Sequence, residues 1–160
     1  MTRARADVAT HSPAGSAKPS WTFEVVASGS VEVRFQPMSF LDRDAPKGNS
    51  WRAAMGAFCA NDQGKFLAYH NAVWPNQQTL AEYEWETGTL KSLVEQVGLD
   101  AKKWDSCMSS EKFADQATKA NTIALETVHS TPTYMLNGTL LDLNYVQQSG
   151  GLMAVVDANR

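Results

Sequence analysis

The chain has 160 residues, 43% of them hydrophobic and 19% charged. That balance suits one domain able to bury about two-thirds of its unfolded surface, and it excludes disorder over most of the length. A net charge of -3 without a dense basic patch excludes the electrostatic footprint of a nucleic-acid binder, and no apolar run approaches the roughly 18 to 20 residues that span a bilayer.

Residues 1–20 open with Arg3 and Arg5, but no apolar stretch of about 7 to 15 residues follows, so the segment is not a signal peptide as it stands. Its Ala, Ser, Pro and Gly content offers no packing face and reads as a disordered leader, which leaves residues 21–160 as the folded domain. The run from Trp21 to Val26 fits either one arm of a hairpin or the last turns of a helix ending near Gly29. Val31-Glu32-Val33-Arg34-Phe35 alternates and is rich in β-branched residues, which predicts a strand limited by Pro37.

Ser50 is placed to cap a helix whose Trp51, Ala54, Met55 and Phe58 recur on one face, with Cys59 on the same helix. A second helix is expected over 65–73, stopping before Pro75. Leu90, Leu93, Val94 and Val97 form a further helical stripe that Gly98 can end. Asp100 can cap a short helix carrying Trp104 and Cys107, and Ser110 a longer one toward Val128. Thr133 to Leu136 and Leu140 to Leu143 read as a hairpin turning at Asn137-Gly138. A last helix, from Tyr145 to Asp157, is weakened by Gly150-Gly151. Trp74, Tyr83 and Trp85 are expected to cover the helical region, the other reading being a partner surface.

Several pieces in this order resemble the DsbA-like thiol-disulfide oxidoreductases of the thioredoxin superfamily: the strand at Val31, the segment from Arg52 to Cys59, the run Gly64-Lys65-Phe66-Leu67-Ala68-Tyr69-His70, and Ser130-Thr131-Pro132-Thr133-Tyr134-Met135-Leu136-Asn137-Gly138. The resemblance implies an α/β thioredoxin-like fold with an all-helical insertion over about 49–129. In that family a Cys-x-x-Cys opens the first helix, directly after a first strand that lies between the strands corresponding to Val31 and Thr133. Residues 1–20 contain no cysteine and show no strand-like run, so that strand reads as missing or replaced. The expected remedies are a replacement strand from Trp21 to Val26, a strand from a partner chain, or a truncated or mis-started sequence.

No residue is assigned a catalytic role. Cys59 lies in an apolar helix, where burial raises a thiol pKa, and Cys107 lies late in a short helix, at its negative end. Because some DsbA-like proteins carry an added bridge between these helical segments, the resemblance implies a structural disulfide between Cys59 and Cys107; the even count alone fits two buried thiols as well. A persistent bridge points to an extracytoplasmic, oxidising compartment. The resemblance also makes Thr131-Pro132 a cis bond whose backbone faces an extended or unfolded polypeptide, so Thr131 and Pro132 are the substrate-binding candidates. An ordinary trans proline opening a strand is the alternative.

His70 and His129 suggest no base for Cys59, and the scattered cysteines and histidines lack zinc-ligand spacing, so neither metal nor cofactor is expected. Asn137-Gly138-Thr139 matches a glycosylation sequon, although the turn explains its first two residues. The cysteine-free glutathione-dependent isomerases of the superfamily are a further class, but no signature of theirs is present. The expected function is that of a DsbA-family protein, redox-inactive for want of the Cys-x-x-Cys; the alternative is a peptide- or partner-binding module using the proline groove.

Overall fold

A computed structural model describes residues 4–10, 31–42, 47–76, 87–127 and 133–159. Among these, strands β1 (Ala4–Thr10) and β2 (Val31–Pro37) come first, and five helices follow: α1 (Asn49–Asn61), α2 (Phe66–Val73), α3 (Thr87–Gln96), α4 (Ala101–Ser109) and α5 (Ala114–Thr127). The chain then forms β3 (Thr133–Leu136), β4 (Thr139–Leu141), α6 (Leu143–Gln148) and α7 (Leu152–Ala158). Two compact units result. A sheet unit takes the described residues 4–10, 31–36 and 133–159, and a helical unit takes those within 37–127.

The sheet runs in the order β2-β1-β3-β4. Ala4–Thr10 therefore occupies the place between the strands at Val31 and Thr133 that the sequence left empty, and the expected disordered leader is corrected for these residues. β1 pairs antiparallel with β3, with Ala6 opposite Leu136 and Val8 opposite Tyr134. The physical reason is ladder satisfaction. The strands on either side present rows of N–H and C=O groups, and a segment of modest strand propensity pairs when both of its edges find partners. Residues 11–20, and the candidate replacement strand from Trp21 to Val26, lie outside the described residues.

β3 and β4 form the expected hairpin, with Met135 opposite Leu140. Asn137 and Gly138 both have positive φ, 51° and 86°, the combination that a two-residue turn matched to strand twist demands. The single C-terminal helix expected from the sequence is instead two, α6 and α7, separated at Gly150-Gly151, where φ is 88° and 101°. Leu136, Val146, Leu152, Val155 and Val156 close the core of this unit.

In the helical unit α1 starts at Asn49 with no side-chain cap of its own. Asp42 supplies the cap from a preceding 3-10 turn, its carboxylate accepting from the backbone N–H groups of Ser50 at 2.9 Å and Trp51 at 2.7 Å. Ser50 is thus inside the helix and is not its cap. Asp100 does cap α4, accepting from the N–H groups of Lys102 and Lys103. Ser110 closes α4 and does not open α5, which begins at Ala114, past a turn that holds Glu111 at φ 51°.

The stripes of α1 and α3 meet in one core, where Met55, Leu90, Val94 and Trp104 have no exposed surface. The tightest point is Gly56. A Cβ there would press on Tyr69 Oη, 2.8 Å from Tyr69 Cζ and 2.9 Å from Trp104 Cζ2. Both aromatic groups also bond to α1, as Tyr69 Oη donates to Ala53 O at 3.1 Å and Trp104 Nε1 to Gly56 O at 3.0 Å. Burial pushes the Tyr69 phenol far above the ordinary tyrosine range.

Candidate functional site: the Cys59–Cys107 bridge

Cys59 and Cys107 are bonded to each other, with S–S 2.00 Å and Cα–Cα 5.8 Å, within the span that disulfides adopt. The bridge ties α1 to α4. Cys59 is 1% exposed and Cys107 7%, and both belong to the helical core. Helical spacing brings them together: Trp104 and Cys107 are three apart on the buried side of α4, while Met55 and Cys59 are four apart on α1. These are the only cysteines in the chain. Neither is a free thiol.

A cleft of about 650 Å³ opens beside the bridge. Its walls follow from the same spacing. Cys59, Asp62 and Gln63 lie three and four residues apart at the end of α1, while Lys103, Ser106 and Cys107 share a side of α4. Lys102, Ser110 and Lys112 complete the rim. Lys112 Nζ lies 2.7 Å from the Asp62 carboxylate, and Lys103 Nζ lies 3.7 Å from Asp100. Gln63 fastens the two walls: its Oε1 accepts from Asp100 N at 2.9 Å and its Nε2 donates to Asp100 O at 3.3 Å. The backbone N–H of Lys103 donates to the Asp100 carboxylate and, with the neighbouring lysine charges, holds its pKa below the ordinary aspartate range. No sequence pattern announced this cleft, because its walls come from residues about forty positions apart.

Thr131 and Pro132, the substrate-binding candidates, lie outside the described residues, as do His129, Tyr83 and Trp85. His70 stacks on Trp74 with ring centroids 5.4 Å apart and lies 5.9 Å from Phe66, so its ring serves an aromatic row along α2. Asn137 is exposed at the tip of the β3–β4 hairpin. Among the described residues no three His, Cys, Asp or Glu side chains gather as metal ligands, and no helix is long and apolar enough to cross a membrane.

A family model described as Thioredoxin matches residues 20–153. Solved structures share the fold. The MdbA protein of Actinomyces oris, a thiol-disulfide oxidoreductase, superposes with a TM-score of 0.73 at 15% identity, over 98% of this chain and 80% of its own. The MdbA protein of Corynebacterium diphtheriae gives 0.71 at 18% identity over 91% and 82%. The thiol-disulfide exchange protein alpha-DsbA2 of Wolbachia pipientis gives 0.69 at 17% over 98% and 82%. No curated protein matches the sequence.

Proposed function

Because the chain belongs to the thioredoxin family, with the fold of DsbA-like thiol-disulfide oxidoreductases, we propose that it is a form of that fold which does not turn over protein disulfides. One observation carries the reading: the two cysteines of the sequence are spent on each other, in a core bridge between α1 and α4. Turnover of a polypeptide disulfide needs a thiolate that reaches an extended substrate and a second thiol that releases it. Here both sulfurs are buried near the C-terminal ends of their helices, where the helix dipole disfavours a thiolate. The bridge therefore serves as a brace. It also favours residence in an oxidising, extracytoplasmic compartment. The decisive assay is insulin reduction or dithiol-peptide oxidation with the purified chain. Rates equal to the uncatalysed background are expected, and sustained turnover abolished by Cys107→Ser would overturn the reading.

A second reading, a peptide-binding module, has one observation in its favour. β3 begins at Thr133, directly after Thr131-Pro132, and lies next to the central strand β1. On this reading Thr131 and Pro132 offer backbone groups to an extended segment of unfolded polypeptide, which pairs with them as an added strand. Pro132→Ala should weaken binding of an unfolded polypeptide with the circular dichroism spectrum unchanged. Absence of binding to any unfolded chain would end this reading.

A further inference from the structure

We infer that the cleft beside the bridge is a thiol-exchange site for small anionic thiols, with Cys107 as the sulfur attacked. Two features of one cleft select the ligand. Its lining includes both residues of the disulfide, the one bond in the chain that a thiolate can exchange with, and it carries Lys102, Lys103 and Lys112 against the carboxylate of Asp62. With Asp100 beside Lys103 also counted, the three lysines still outnumber the carboxylates, in a chain whose net charge is -3. Lys112 is bound to Asp62 and Lys103 Nζ lies 3.7 Å from Asp100, so Lys102, at the start of α4, carries most of the attraction and Lys103 adds to it. Lys103 stands one helical turn before Cys107, on the same side of α4. Cys107 is the more exposed of the two sulfur-bearing residues, 7% against 1%.

The exchange balances with thiol as the reductant. A thiolate RS⁻ attacks Cys107 Sγ, the Cys59–Cys107 bond breaks, and Cys59 leaves as a thiolate that takes up a proton. A second thiolate attacks the mixed disulfide, releasing RSSR and the Cys107 thiolate, so two thiols reduce one bridge. Burial of both cysteines in the helical core favours a small attacker over a polypeptide, and the process is stoichiometric. It is therefore independent of polypeptide turnover, and the insulin assay does not report on it.

The test measures bridge opening in the native chain by trapping with an alkylating agent and reading the mass. The probes are 2-mercaptoethanesulfonate (anionic), 2-mercaptoethanol (neutral) and cysteamine (cationic), each rate expressed per thiolate. The anionic thiol is expected to react at least about threefold faster than the cationic one at low salt, as local steering dictates. The preference should vanish at high salt and in the Lys102→Gln/Lys103→Gln double variant. It should persist in Lys65→Gln/Lys119→Gln, a double change of equal charge at exposed positions outside the cleft. A cationic thiol that is equally fast or faster, as the net charge alone would dictate, overturns the inference; so does a bridge that no thiol opens in the folded chain. The salt dependence of the unaltered chain decides the question even if a lysine variant folds poorly.

Discussion

Gly56 is the residue at which the helical core tolerates least change. The hydrogen of its Cα faces the Tyr69 and Trp104 rings, so an added methyl must displace two side chains that are themselves bonded to α1. Gly56→Ala should cost about 1–3 kcal/mol, opposite in sign to the usual gain from glycine to alanine in a helix, as measured by urea unfolding. Asp100 gives a pH-dependent counterpart. Its folded pKa is depressed first by the Lys103 N–H bond, so its contribution is present above the unfolded aspartate range and is lost as pH falls through the folded value. The melting-temperature difference between the native chain and Asp100→Asn should therefore shrink as pH drops from about 5 to about 2. A difference that stays constant would show that the capping carboxylate's charge is immaterial.

At the scale of elements, legibility followed periodicity. Leu90, Leu93 and Val94 of the expected stripe became the core-facing side of α3, with Val97 packed against the same core just past its end, and Asn137-Gly138 became the turn, because local chemistry decides both. Caps were harder to read. Ser50 has the right chemistry for α1, but Asp42, eight residues upstream, reaches the first N–H groups, and only tertiary packing decides between them. β1 was hidden for a similar reason. Ala4, Ala6 and Val8 alternate with Arg5 and Asp7, yet alanine and aspartate are poor strand formers, and the pairing that selects them is with residues near the other end of the chain. The cysteine pair was legible through family resemblance, whereas the lysine rim of its cleft assembles only on folding. The bridge closes a loop with a sequence separation of 48, and Cys59→Ser/Cys107→Ser should cost about 4 kcal/mol in chemical unfolding. A loss below about 1 kcal/mol would argue against the brace.

At the scale of the whole molecule the sheet depends on its first segment. β1 supplies the ladder partner of β3 and neighbours β2, so interrupting it affects more than one strand. Val8→Pro removes an N–H and forces a backbone that a central strand does not accept. Hydrogen exchange should then report loss of protection at Tyr134 and Leu136, with the amides of α1 and α4 retaining theirs. Equal loss in both units would mean that the chain unfolds as one.

The pairing of Ala6 with Leu136 also sets an order of events during synthesis. β1 is made before the helical unit and its β3 partner after it, so the pairing must wait until the segment between them has been synthesised. The helical unit between them consists of contacts nearer in sequence and is complete in the nascent chain earlier. Through that interval the β3-facing edge of β1 has no partner, and a chaperone or a second nascent chain competes for the edge that β3 will later take.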